Sequence, residues 1–311
     1  MIVGHKIQRE FLKKSFESSR ISHAYLFSGV DGLGKKTVAL EFVKLINRAV
    51  ARGEDGRRNK FLLPSRLRLD ERSSSTSQPD LIMVEPQPSI KISQIGEMRK
   101  ALSLRPFSAP FKTVIIDEAE KMTDEAQNCL LKTLEEPKGQ AVLFLISSNP
   151  EILFETVRSR TQSLKFYPLS SGEMRDFLKP KISSSDLEKL IFISEGRPGK
   201  AIDFLRNPQK LKVWWQIFED IQNLVDSNIS SRFKYLNDFF QEDNSKEFLN
   251  IFLRYFRLVL LSKLGMTNNF NTSYSLQKIK EIIELGEKMK FLISRTNINQ
   301  KLALETLFLN I

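Results

Sequence analysis

Cysteine is nearly absent from this 311-residue chain: Cys129 stands alone, so no internal disulfide can form. Histidine is almost as scarce, and with only His5 and His23 besides, there are too few ligands for a four-ligand Cys/His zinc site. A reducing, cytoplasmic compartment is the expectation that follows. Long apolar runs are missing too. The opening MIVGHKIQREFLKK has no apolar stretch of the roughly 7–15 residues that a secretory signal needs, and the most apolar segment, 251–264, is broken by Arg254, Arg257 and Lys263. Neither a signal peptide nor a membrane span is therefore expected.

What is present is enough to fold. Hydrophobic residues make up 41% of the chain and 23 residues are Phe, a composition that supports real cores and excludes disorder. The length exceeds one ordinary domain, so two or three packed units are expected. Lys and Arg outnumber Asp and Glu by 48 to 37. That excess fits either a polyanionic partner or Lys-rich solvated faces, because the basic residues are spread along the whole chain.

The first half alternates short apolar runs with amphipathic segments, the pattern of parallel strands joined by crossover helices. Strands are predicted at 24–29 (AYLFSG), 80–85 (DLIMVE), 113–117 (TVIID), 141–147 (AVLFLIS) and 163–166 (SLKF), with helices over 93–102 and 124–136. Ala126, Leu130 and Leu134 share one face of the second helix, and Pro137 stops it. The basic and Ser-rich stretch at 49–79 reads as a surface excursion. After Pro168 the strand signal ends. Ser170 and Glu173 have the spacing of a capping box, opening a small helical unit to about Asn207 that contains the turn Gly196-Arg-Pro-Gly199. From Pro208 to Ile311 the pattern is long amphipathic helices, with Phe248, Phe252, Tyr255 and Val259 at helical spacing. The Trp214-Trp215 pair reads as core, or alternatively as a partner surface.

Gly29-Val-Asp-Gly32-Leu-Gly34-Lys35 follows a predicted strand and opens a predicted helix. Glycines there let successive backbone N–H groups face a phosphate, the helix N-terminus adds partial positive charge, and Lys35 would reach the terminal phosphates. The next position ordinarily carries the Ser or Thr that ligates magnesium. Here it is Lys36, whose ammonium cannot ligate a metal, and Thr37 is rotated about 100° further around the helix. Nucleotide binding is compatible with this loop, whereas hydrolysis lacks its metal ligand. The run Val114-Ile-Ile-Asp117-Glu118 ends an apolar strand in two acids: Asp117 would hold magnesium through water and Glu118 would polarise the attacking water. On its own this run could equally be surface acids. Arg158 and Arg160 stand just before the last strand and read either as exposed ion pairs or as an arginine finger for a neighbouring subunit's nucleotide.

Together, HAYLFSG (23–29), IIDEAEKMT (115–123), LLKTLEEP (130–137), ISSNPEILFETVRSRTQ (146–162), GRPGKA (196–201) and NINQKLALETLFLNI (297–311) resemble the clamp-loader branch of the AAA+ superfamily over nearly the whole chain. The resemblance implies an α/β P-loop sheet domain (1–168), a helical lid (169–207) and a helical collar for oligomerisation (208–311). It implies ATP or ADP as ligand, Ser148 and Asn149 as sensor 1, Val3 and Gly4 near the adenine, and Arg160 as a finger acting in trans. Three departures matter. Gly199 stands where motor subunits place a lid arginine, Lys36 stands at the metal-ligand position, and the 49–79 insert lacks the four cysteines that many relatives use for zinc. The combination resembles delta-prime-type subunits of the DNA polymerase III clamp loader, with Asp117 and Glu118 vestigial. Such a chain would partner gamma/tau motor and delta subunits, the sliding clamp and primed DNA, while polymerase chemistry resides in another subunit. The alternative is a gamma/tau-type ATP-hydrolysing motor in which Thr37 or a relaxed loop rescues magnesium. A P-loop kinase would need acid–base residues that the sequence does not offer.

Overall fold

The computed structural model describes residues 3–18, 20–50, 80–107, 111–137, 141–182, 184–225, 227–239, 245–266, 270, 272–295 and 298–311. Most of the expected insert at 49–79 lies outside the described residues. The chain divides into two compact units, Met1–Asp203 and Phe204–Ile311.

In the first unit, all five predicted strands are present: β1 (Ala24–Ser28), β2 (Leu81–Val84), β3 (Lys112–Ile116), β4 (Ala141–Ser147) and β5 (Gln162–Lys165). They form one sheet in the order β2-β3-β4-β1-β5 with every pair parallel. The period-2 alternation of the strands sends their side chains to two separate cores. Ala24, Leu26, Val114, Ile116, Leu143 and Leu145 pack on one face beneath α3 (Ile92–Leu102) and α4 (Asp124–Glu135). Tyr25, Phe27, Ile115, Val142, Phe144 and Ile146 pack on the other beneath α1 (Lys6–Glu17) and α2 (Lys35–Val50). Phe144 is the hub of the second core, with ring centroids 5.4 Å from Tyr25, 5.4 Å from Phe27 and 5.9 Å from Phe42. With helices on both faces the strands are buried on both sides, which is why they read as continuous apolar runs.

Beyond β5, preceded by the single-turn α5 (Glu155–Arg158), come α6 (Ser171–Leu178), α7 (Ser184–Ser194) and α8 (Pro198–Arg206). The Ser170 capping box forms as expected: Ser170 Oγ accepts from the Glu173 amide at 3.3 Å and the Glu173 carboxylate accepts from the Ser170 amide at 3.0 Å. The GRPG turn is shorter than expected. Glu195 and Gly196 make the turn, Arg197 links it to the helix, and Pro198 and Gly199 already belong to α8. Proline suits a first helical position because its missing N–H would have no partner there.

The second unit, into which α8 runs, contains α9 (Pro208–Val225), α10 (Ile229–Phe239), α11 (Ser245–Lys263), α12 (Leu276–Arg295) and α13 (Gln300–Leu309). The expected stripe Phe248, Phe252, Tyr255, Val259 is buried along α11, and Phe248 and Phe252 meet Phe308 of α13 at 5.8 and 6.2 Å. Trp214 is core, whereas Trp215 is only half-buried and donates to Glu219 at 2.6 Å. Arg232, 7% exposed, donates to the carbonyls of Leu224 (3.1 Å) and Val225 (2.9 Å) at the end of α9, tying helix termini together inside this unit. Among the described residues no helix is long and apolar enough to cross a membrane.

Candidate functional site

Parallel pairing brings the ends of four strands to one edge of the sheet, where α/β sheets bind ligands. Gly29 follows β1, Glu85 follows β2, Asp117 follows β3 and Ser148 follows β4. The register fixes their proximity: Ser28 pairs with Ser147, and Val84 with Ile116. Gly29 has φ +145, and an added Cβ would collide with the Phe166 carbonyl, so the turn out of β1 requires glycine. The loop then passes through Gly32 and Gly34 into the N-terminus of α2.

The charged candidates on this edge and Ser148 are engaged within the chain. Lys35 is 5% exposed and donates its ammonium to the carbonyls of Gly29 and Val30, the latter at 3.0 Å, with Asp31 at 3.7 Å. Burial lowers its pKa, outweighing the nearby charges of Asp31, Glu120 and Asp117. The Lys36 ammonium bridges two carboxylates, Glu85 at 2.6 Å and Asp117 at 3.0 Å. Thr37 is exposed. Glu118, with φ +46, pairs with Lys121 one helical turn along. Ser148 gives Glu120 both its hydroxyl and its amide, the latter at 3.0 Å. Burial raises the Glu120 pKa, yet the hydrogen bonds from Ser148, from its own backbone amide and from Ser147 together outweigh it and leave it below the usual carboxylate range. Asn149 is exposed, and its amide donates to Ser147 Oγ at 3.1 Å.

Two contacts at this edge were not legible beforehand. Gly199, second residue of α8, donates its amide to the Gly32 carbonyl at 2.7 Å, so the helical segment docks directly on the glycine loop. A Cβ there would stand 2.9 Å from the Gly32 oxygen and 3.0 Å from its Cα. His5, next to the half-buried Val3 and to Gly4, is buried beneath the loop: its Nε2 lies 2.9 Å from the Leu33 carbonyl and its ring meets Phe166 edge-on at 4.8 Å. A carbonyl only accepts, so Nε2 carries the proton. His5 entered the sequence reading only as a zinc ligand too few, and no motif marks it.

Burial holds the His5 pKa below its ordinary 6.5 despite the bond to Leu33. The unfolded chain then binds the extra proton at higher pH than the folded one. Stability is full above the unfolded value and falls as pH drops through the folded value. Comparing thermal unfolding between about pH 7 and pH 5, His5→Gln is expected to lose less stability than the wild type. Equal losses would remove His5 as the titrating group.

The arginines lie elsewhere. Arg160 sits between α5 and β5, donating to the Thr156 carbonyl at 3.1 Å and pairing with Glu135, at the end of α4, at 2.9 Å. Arg158 pairs with Glu151 at 2.7 Å. Gln162, at the start of β5, pairs with Tyr25, four residues before Gly29. At about 3.3 Å per residue the start of β5 is therefore roughly 13 Å of strand from the glycine loop, at the opposite edge of the sheet.

The loop keeps what a phosphate needs, namely a helix N-terminus and a lysine. It does not fit magnesium, because Lys36 replaces the hydroxyl and occupies Asp117.

Residues 4–170 match the family model described as DNA polymerase III, delta subunit. The chain belongs to this family. It is 29% identical over 278 residues to DNA polymerase III subunit delta' of Bacillus subtilis, an alignment covering 88% of this chain and 82% of that one. It is 25% identical over 313 residues to the tau subunit of the same organism, covering 93% of this chain but about half, 53%, of tau. The crystal structure of a DNA polymerase III gamma subunit-related protein from Thermotoga maritima superposes with a TM-score of 0.57 at 20% identity, covering 97% of both chains. The expected α/β fold with C-terminal helices stands, and the relatives that the chain matches are subunits of DNA polymerase III.

Proposed function

We propose that this chain is a delta-prime-type stator of the clamp loader: it hydrolyses no ATP itself, and Arg160 completes the ATP site of an adjacent gamma/tau motor subunit. In that ring, held together by α9–α13, it helps a delta-type subunit load the sliding clamp onto primed DNA. The observation that carries this reading is the place of Arg160. It stands at the opposite sheet edge from the chain's own glycine loop, out of reach of that loop, which supports a role at a site on another chain. Glu135 and the Thr156 carbonyl hold the guanidinium half-exposed, in a fixed orientation suited to phosphate oxygens. The ion-pair and finger readings thus coexist: Glu135 positions Arg160.

The chain's own edge supports the same reading. Gly29, Gly32, Gly34 and Lys35 are proposed to accept the phosphates of ATP or ADP, with Val3 and Gly4 beside the base. No step of hydrolysis is assigned to Asp117, Glu118, Ser148 or Asn149, because each of the first three is already paired inside the chain and no metal ligand replaces Lys36. The tau relative keeps a motor reading in play, and turnover separates the two. Phosphate release by the purified chain alone is expected to be negligible, and the chain is expected to raise release when mixed with its motor partner. Turnover by the chain alone on the order of 1 per second, within the range of competent enzymes, would make it a motor instead.

A further inference from the structure

We propose that Lys36 is a tethered cation: its ammonium takes the position that a divalent metal takes in a P-loop site, so Glu85 and Asp117 are bridged and partly neutralised without metal and the site is closed to one. Lys36 is the second residue of α2, and its Nζ lies 2.6 Å from Glu85 Oε1 and 3.0 Å from Asp117 Oδ2. The two carboxylates emerge side by side because β2 and β3 pair in register up to Val84 and Ile116, the residues directly before them. Charge-assisted bonds of this length are the strong ones. A lysine ammonium is charged throughout the physiological range. An ammonium has three donors and no lone pair, so it offers nothing to a metal while consuming the carboxylate oxygens that a metal would use. A divalent ion placed beside it would also meet like charge at a few ångströms.

This inference deepens the stator reading, yet it is tested on the chain alone, so its failure leaves the trans role of Arg160 untouched. The probe is Mn2+, followed by water-proton relaxation on the full chain. Wild type and Asp117→Asn are expected to bind Mn2+ equally weakly. Lys36→Thr frees both acids and adds a hydroxyl, and it is expected to bind Mn2+ at least about tenfold more tightly, in the range of roughly 10⁻⁴–10⁻³ M of weak oxygen-ligand sites. Adding Asp117→Asn to that variant is expected to abolish the gain. Lys36→Met covers the case in which the threonine variant does not fold: magnesium is expected to raise its melting temperature by roughly 2–4 °C and to leave the wild type unchanged. Wild-type Mn2+ binding that disappears in Asp117→Asn overturns the proposal. So does a folded Lys36→Thr with no gain in Mn2+ affinity, or a folded Lys36→Met that magnesium does not stabilise.

Discussion

Arg160→Ala is expected to leave this chain folded and the loader assembled while removing most ATP hydrolysis at the one motor site that it faces. An arginine finger stabilises charge that grows on the phosphoryl oxygens in the transition state, and its loss costs about 10³–10⁵ in turnover, or about 4–7 kcal/mol. The intrachain pair of Arg160 with Glu135 cannot mimic such an effect. Both side chains are more than a third exposed, at 37% and 50%, and pairs of this kind contribute about 1 kcal/mol or less. The two magnitudes separate the readings. Arg158→Ala is the internal control: its partner Glu151 is 81% exposed, and its loss is expected to change turnover little. If the proposed ring holds further motor sites with fingers of their own, total phosphate release is expected to fall only in part, so loading of the clamp onto primed DNA is the sharper measurement. Arg160→Ala loading clamps at the wild-type rate would defeat the stator mechanism, even though the family membership would stand. Glu135→Gln adds a second arm. If Glu135 orients the finger, its loss is expected to slow loading less than loss of Arg160 itself, with the chain equally stable.

The sheet was legible because its strands are covered on both faces. Residues such as Tyr25-Leu-Phe27 or Val142 through Ile146 need apolar side chains in both alternating positions, and continuous runs of that kind stand out against the amphipathic crossovers. Local chemistry was legible for the same reason that it is local. The Ser170–Glu173 box depends on spacing within one turn. The glycine loop could be read because strand, loop and helix adjoin in sequence. What Lys36 does in place of a hydroxyl could not, since Glu85 is 49 residues away and the strand before it gives no sign of what its last side chain will meet. His5 was hidden for a related reason: its partner is a backbone carbonyl 28 residues on, and no side-chain pattern records a carbonyl. Gly199 was read as a missing arginine. The structure makes it a contact, because the residue that is absent is replaced by a backbone-to-backbone approach that only glycine permits.

That approach gives the other large expected effect. Gly199→Ala is expected to destabilise the sheet-containing unit, although alanine is the better helix former. Gly199 lies inside α8, where its replacement by alanine would ordinarily stabilise by roughly 0.5–1 kcal/mol, through propensity and through a less flexible unfolded chain. Against this, the new Cβ would stand 2.9 Å from the Gly32 oxygen and 3.0 Å from Gly32 Cα, both backbone atoms that cannot rotate away. Relieving the overlap means shifting α8 off the loop and lengthening the 2.7 Å bond from the Gly199 amide to Gly32. Overpacking of this kind costs about 1–3 kcal/mol, and the weakened hydrogen bond adds about 1 kcal/mol. The unfavourable terms win, leaving a net loss of about 1–3 kcal/mol. Gly96, inside α3, has no heavy atom within 4 Å of its added Cβ, so Gly96→Ala is expected to raise stability by about 0.5–1 kcal/mol. The same substitution should therefore change sign between the two helices, measured as calorimetric unfolding of the two variants beside the wild type. If Gly199→Ala is as stable as Gly96→Ala, α8 does not rest on the glycine loop in solution. The same contact limits any attempt to recreate a motor: Gly199→Arg brings the same Cβ into the same backbone, so Lys36→Thr combined with Gly199→Arg is expected to remain without turnover.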